Sequence, residues 1–347
     1  MPAPITYLDH AATTPLLPAA QAAMAHGFAI WANPSSPHRA GRAARAALED
    51  ARARIAAALG WTGEVILTSG ASEALAIAIT RARRPVSAVS TVEHEAVLRH
   101  TGPALRLAVD QVGQVILPDP AVLGGLVAIQ HVNNETGVIQ PIDGIYEQVR
   151  AAGGVLLADA AQSAGKLPLP PADLIAISAH KFGGPAGTGA LLVRDWALLN
   201  PGGGQERGYR GGTENLPGVL AMAAALEQGH DWMETAAAMR ARLDAGVVAA
   251  GGQVIAADGP RIATIGAIRA PGLAANAQLI RLDAMGIAVS AGSACSSGSL
   301  RTSHVLTAMA VDGADTVIRV SIGRETTAAD IDRFIAAWAG LVAGTRR

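Results

Sequence analysis

The chain holds a single cysteine in 347 residues, so no internal disulfide can form, and the thiol is either a small core side chain or a reactive group. Charge of one sign is also missing. The 27 basic side chains against 28 acidic ones leave a net charge of −1, which removes the long-range field that would draw in nucleic acid or an anionic membrane. No uncharged run is long and apolar enough to span a bilayer, and MPAPITYLDH lacks the basic-then-apolar order of a signal peptide. With one unpaired cysteine this reads as a protein of a reducing compartment, and a cytoplasmic location is expected. His94, His100, His131 and His180 show neither HExxH nor Cys/His ligand spacing, so no metal site is expected. There is no repeat of roughly 20 to 50 residues and no low-complexity tail.

What is present is apolar substance. Half of the residues are hydrophobic, enough for a large core, and the length suggests two domains. Short apolar runs at Val65 to Leu67, Val86 to Val89, Leu126 to Ile129, Val155 to Leu157, Leu174 to Ile177 and Ala190 to Val193 read as buried strands, several of them alternating with helical stretches. An α/β fold follows, with a largely parallel sheet covered by helices on both faces. Arg39 to Leu59 predicts one long helix ended by Gly60, and Gly218 to Ala250 a second. Beyond Gly251 and Gly252 the texture changes to short strand-like pieces and a Gly/Ser loop, which places a domain boundary near residues 240 to 250.

Four segments carry candidate chemistry. EVILTSGASEALAIAIT passes from an apolar strand through Ser69, Gly70, Ala71 and Ser72 into an apolar helix; such a junction suits a phosphate, although Ser72 would also serve as a plain N-cap. The strand ending at Ala158 is followed by Asp159, either a turn residue or a carboxylate facing the crevice at the carboxyl ends of parallel strands. There it would hold a protonated ring nitrogen, as an electron-sink pyridine requires. LIAISAHKFGGPAGTGALLV has Lys181 as its one formally charged side chain, and an amine among apolar strands loses hydration and becomes nucleophilic toward an aldehyde; the alternative is a solvated lysine in a Gly-rich turn. Ser178 and His180 beside it offer polar contacts to a phosphate. The last segment, SAGSACSSGSL, surrounds Cys295 with small residues, a setting for a thiol that visits a site rather than one locked in a core.

Together these segments resemble the cysteine desulfurases of the class V aminotransferase group, enzymes of the fold type I pyridoxal-phosphate (PLP) architecture. The similarity runs in order through YLDHAATTP, NPSSPHRAGR, TSGASEA, EHEAVL, HVNNETGVIQP, DAAQSAGKLP, SAHKFGGPAGTGAL, GGGQERGYRGGTEN, SAGSACSSGSL and IRVSIGRETT. It implies a large PLP-binding domain over residues 15–245, with a mostly parallel mixed sheet, and a smaller α+β domain from residues 1–14 and 246–347 that carries the cysteine loop.

In what the resemblance implies, Lys181 bonds the cofactor, Asp159 pairs with its ring nitrogen and Gln162 contacts the phenolic oxygen. Ala71, Ser72, Ser178 and His180 hold the phosphate, and Thr213 reaches across a homodimer interface to the partner's phosphate. His94 stacks on the ring and moves protons, Asn134 lies beside it, and Arg319, helped by Asn33, grips the substrate carboxylate. L-cysteine would become L-alanine while Cys295 takes the sulfur as a persulfide, for an iron–sulfur scaffold protein or another acceptor.

The chain departs from the family's pattern in four places. Ser72 stands for the usual Thr, His10 for Asn and Gly211 for Ser, and the chain ends soon after TTAADIDRFIAAWAGL, without the longer tail by which many relatives dock a scaffold. Other class V chemistries, an aminotransferase or a selenocysteine lyase, are the alternatives, and a non-enzymatic scaffold of the same fold is a third.

Overall fold

A computed structural model describes residues 5–292 and 303–344 of the chain. Twelve strands are formed among them: β1 (Thr6–Tyr7), β2 (Glu64–Thr68), β3 (Val86–Ser90), β4 (Leu105–Leu107), β5 (Leu126–Ala128), β6 (Val155–Asp159), β7 (Leu174–Ser178), β8 (Gly189–Val193), β9 (Gln253–Val254), β10 (Ile265–Arg269), β11 (Ile287–Ala288) and β12 (Val317–Ser321). A seven-stranded sheet runs in the order β2-β8-β7-β6-β5-β3-β4. Only β8 opposes its neighbours; the other pairings are parallel. β6, β7 and β8 are buried at every position, as sheets covered on both faces require, which is why their apolar runs do not alternate with polar residues. Two clusters of apolar side chains flank the sheet, one containing Leu48 and Ile55 of the Arg39–Ala58 helix, the other Leu75 and Ile79 of the Ala71–Thr80 helix.

Every apolar run named in the sequence forms a strand of this sheet. The helix expected over Gly218 to Ala250 is instead two helices, Leu216–Leu226 and Met233–Ala249. The break passes through Gly229 in the left-handed region, at φ +66°, a conformation that glycine adopts without strain. Alanine-rich sequence on both sides masks the interruption, because helix propensity is high throughout.

The later residues build a second, antiparallel sheet of order β12-β10-β9, and β1 pairs with β11. Their core is centred on Phe334 and Trp338, both with no exposed surface, and includes Leu8 from the start of the chain. Isolated bridges Asp9–Ser321 and Ser290–Arg319 bring the opening segment and the approach to Cys295 alongside β12. Among the described residues no helix is long and apolar enough to cross a membrane.

Candidate active site

The carboxyl ends of β2, β6 and β7 open into one cavity of about 310 Å³, within the range of small-molecule sites. Ala71, Ser72, His94, Asn134, Asp159, Gln162, Ser178, His180, Lys181 and Arg319 all line it. Ten of the residues singled out in the sequence thus meet at one place from six separate stretches of chain. Asn33 and Thr213 do not line it; both are exposed, and Asn33 Oδ1 accepts the Ser35 N–H at 2.9 Å. Cys295 lies outside the described residues.

The turn after β2 makes the anion end of the cavity. Gly70, not Ser72, is the N-cap of the Ala71–Thr80 helix, at φ +145°. A Cβ there would stand 3.6 Å from Ser178 Oγ, so the backbone passes close to that hydroxyl. The cap has no side-chain hydrogen bond, and the N–H groups of Ala71, Ser72 and Glu73 have no acceptor among the described residues. Free N–H groups at a helix start, next to a hydroxyl, are a phosphate cradle. Glu73 is occupied elsewhere, accepting from Ser69 N at 2.6 Å and pairing with Arg210 at 3.1 Å, so its carboxylate is not turned on an incoming anion.

Opposite, Asp159 ends β6. Its Oδ1 accepts the Ala161 N–H at 2.9 Å, a turn contact, so the turn role and the cavity role coincide in one residue. Burial pushes its carboxyl up, countered by that N–H and by His94 and Lys181. A cation seated against it would restore the ionised form. His94 also has two roles: its Nδ1 accepts the Ala96 N–H at 3.1 Å as the cap of a short helix, and its ring lines the cavity. Burial holds that imidazole below its ordinary value, and with Nδ1 accepting, the neutral ring carries its proton on Nε2. Gln162 donates to Ala11 O at 3.0 Å, leaving its Oε1 buried without a partner.

Lys181 is half-buried, and its Nζ donates to Ala11 O and Ala12 O at 2.8 Å each. The YLDHAATTP segment thereby holds the amine by two carbonyls. The chain has only two lysines, and the other, Lys166, is 4% exposed. Both line a second cavity of about 20 Å³ on the far side of Lys181. Burial pushes the Lys166 amine down to about 7, and the charge on Lys181 pushes the same way. His180 is likewise pushed down to about 4, first by burial and then by Lys181 and Lys166. Nothing in the local sequence distinguished Lys166, because its setting is assembled from distant stretches, with Thr14 and Leu17 of the opening segment and Ile322 to Arg324 sharing its cavity.

Arg319, on β12, is 4% exposed. Its Nη2 pairs with Asp9 Oδ1 at 2.9 Å and its Nη1 donates to Asn134 O at 3.1 Å, so one N–H on each terminal nitrogen remains for a carboxylate. Two carboxyl groups escaped the sequence reading. Glu93 is 1% exposed, accepts the Gln130 N–H at 2.6 Å, and burial, then the charge on Asp159, raise it well above the carboxylate range. Glu135 is 4% exposed and accepts the Ser303 hydroxyl.

A phosphate cradle, a carboxylate for a cation, and an amine held between carbonyls are the parts of a pyridoxal-phosphate site, and the residues present fit that group. Residues 6–334 match the family description "Aminotransferase class-V", the class that this sheet and cavity define. A cysteine desulfurase of Cereibacter sphaeroides is 37% identical over 95% of this chain and 93% of its own length. An IscS-like cysteine desulfurase of Mycobacterium tuberculosis is 36% identical over 99% and 98%. Among solved structures, a NifS-like protein superposes with a TM-score of 0.88 at 28% identity, covering 98% of this chain and all of that one. SspA, solved in complex with cysteine, gives 0.78 at 29% identity over 92% and 99%. The chain belongs to the cysteine desulfurase family of the class V aminotransferases.

Proposed function

We propose that the protein is a pyridoxal-phosphate-dependent cysteine desulfurase that converts L-cysteine to L-alanine and leaves the sulfur on Cys295 as a persulfide. The observation that carries this reading is the single cavity in which Lys181, Asp159 and the unpartnered N–H groups of Ala71 and Ser72 converge with Arg319. The cofactor would supply an aldehyde that captures amines and a ring that spreads negative charge away from a substrate carbon. Lys181 is the amine that bonds it, and Asp159 holds the protonated ring nitrogen. Ala71, Ser72, Ser178 and His180 bind the phosphate, with Thr213 of a second copy completing that end in a homodimer. Gln162 meets the phenolic oxygen and Asn134 lies at the ring edge.

The remaining residues act on the substrate. Arg319 orients the carboxylate, with Asn33 assisting, so that the α-proton faces the Lys181 amine, and His94 moves protons through Nε2. Cys295 then attacks the substrate sulfur as a thiolate: a bond forms between the two sulfurs, the substrate carbon–sulfur bond breaks, and the carbon keeps that electron pair and takes a proton. One cysteine and one protein thiol give one alanine and one persulfide. The reading includes the division into a cofactor-binding unit, residues 15–245, and a small unit of residues 1–14 and 246–347, supported by the core around Trp338, to which Ala236, Met239 and Leu243 before the boundary also contribute. It also includes a cytoplasmic location and delivery of the outer sulfur to an iron–sulfur scaffold or another thiolation acceptor.

The test is to incubate the PLP-loaded protein with L-cysteine and measure alanine, together with the intact mass of the peptide containing Cys295. Alanine and one added sulfur atom on that peptide are expected, with both lost in Cys295→Ser. Alanine formation that survives Cys295→Ser at full rate would overturn the role of the thiol.

A further inference from the structure

Residues 205–213 form a loop that is held firmly at its base and exposed at its tip. At the base, Glu206 is 4% exposed and accepts the Leu67 N–H at 2.7 Å and both terminal nitrogens of Arg52. Leu67 belongs to β2, the strand that leads into the phosphate turn. Tyr209 is buried and stacks on Trp196, with ring centroids 4.4 Å apart. Glu206 and Arg207 both sit in the left-handed region, at φ +49° and +55°, which a residue with a side chain adopts only where its surroundings impose it.

The far half of the loop is drawn to the phosphate helix. Arg210 Nε donates to both carboxylate oxygens of Glu73, at 3.1 and 3.3 Å, and its Nη1 donates to the Gly212 carbonyl at 3.0 Å. Gln205 Oε1 accepts the Gly212 N–H at 2.7 Å and closes the loop on itself. Glu73 stands in the first turn of the Ala71–Thr80 helix, lines the main cavity and accepts the Ser69 N–H of the phosphate turn. One carboxylate therefore grips the phosphate turn and the loop together, and the guanidinium offsets a negative charge that would otherwise repel a phosphate there. Beyond the tip, Glu214 is 5% exposed and pairs with Arg45 at 3.4 Å. Gly211, Gly212 and Thr213 are exposed between these anchors, and Thr213 makes no hydrogen bond with any described residue.

We propose that Glu73 and Arg210 are positioning residues that tie the phosphate turn of one protomer to the loop presenting Thr213 to its partner, so that cofactor retention at the partner's site depends on this ion pair. The proposal rests on the reading that Thr213 completes the phosphate end of a second copy. An exposed tip fixed on both sides is placed for a contact outside its own protomer, and a hydroxyl there is a donor suited to a phosphate oxygen.

The experiment uses full-length mixed dimers, purified through a different tag on each protomer, in which one protomer carries Lys181→Ala so that only the other can bond the cofactor. The dimers are stripped, titrated with pyridoxal phosphate and reduced with borohydride, and the labelled fraction of the Lys181 peptide gives the concentration for half-saturation. With Arg210→Ala on the Lys181→Ala protomer, half-saturation at the unaltered site is expected to rise about 10- to 100-fold, the scale of a lost hydrogen bond to a charged group. Thr213→Ala in the same protomer gives a comparable rise, and the two substitutions together add little to either one.

A merely structural role for Arg210 would weaken the site of its own protomer and leave the partner's site at wild-type half-saturation, and that result would overturn the proposal. Additive losses from Arg210→Ala and Thr213→Ala would overturn it as well. Should Arg210→Ala fail to fold, Glu73→Gln carries the same comparison, since it keeps an acceptor for the Ser69 N–H and removes the charge that holds Arg210. If Thr213→Ala leaves the partner's site unchanged, or no mixed dimer forms, the reading of Thr213 as part of a second copy's site fails and the proposal falls with it, a distinct outcome.

Discussion

Replacing Arg319 with lysine separates the charge of this residue from its shape. The guanidinium spends one N–H on Asp9 and one on the Asn134 carbonyl, which leaves one N–H on each terminal nitrogen and the buried Nε–H for a carboxylate. A lysine keeps the positive charge but has three hydrogens on one nitrogen, so it cannot serve Asp9, the carbonyl and both carboxylate oxygens at once. The loss is that of one hydrogen bond to a charged group, about 1.5 to 3 kcal/mol. At about 1.36 kcal/mol per factor of ten, kcat/KM for L-cysteine is expected to fall about 10- to 150-fold. Initial rates of alanine formation over a range of cysteine concentrations measure it, and an unchanged visible spectrum of the loaded protein shows that the cofactor end is intact. A kcat/KM within about threefold of wild type would mean that Arg319 does not hold the substrate carboxylate.

Stability should fall in acid for an identifiable reason. Burial pushes both His10 and His131 down to about 4 from the ordinary 6.5. Between those values the unfolded chain binds protons that the folded chain refuses, so stability is lost as pH drops through this window, by up to about 3 kcal/mol per histidine. Urea midpoints at pH 7 and pH 5 test it, and His131→Gln should flatten the dependence; equal midpoints at both would contradict the assignment. Lys166→Met is expected to raise stability near pH 6, where the buried amine is charged at a cost, and to lose that advantage as pH rises from about 7 toward the ordinary lysine value; destabilisation at pH 6 would refute it. Glu206 is buried and accepts from Arg52 Nη1 and Nη2 at 2.6 and 3.0 Å and from Leu67 N at 2.7 Å. Glu206→Ala strands the Leu67 N–H and leaves Arg52 only Glu49 and the Val65 carbonyl, and should lower unfolding free energy by about 1.5 to 3 kcal/mol; a loss under about 0.5 kcal/mol would show that water takes over these contacts.

The central sheet was legible because burial on both faces writes each strand as an uninterrupted apolar run, as in LIAIS and GALLV. The strands β9 and β11 are two residues long and owe their existence to their partners, so no local pattern announces them. The break near Gly229 was hidden by alanine on either side. Asp159 and Lys181 were legible as isolated charges at the ends of apolar strands. Glu93, Glu135 and Lys166 were not, since each becomes unusual only through neighbours far away in sequence: Gln130, Ser303 and the opening segment.

The most direct measurement of the central claim is to load the protein with pyridoxal phosphate, reduce it with borohydride, digest it and locate the added mass. Because the chain has only two lysines, the outcome is clear-cut. The account predicts the cofactor on the Lys181 peptide, and a colourless, unlabelled protein in Lys181→Ala. Label on Lys166 instead, or a Lys181→Ala protein that still binds the cofactor covalently, would contradict it.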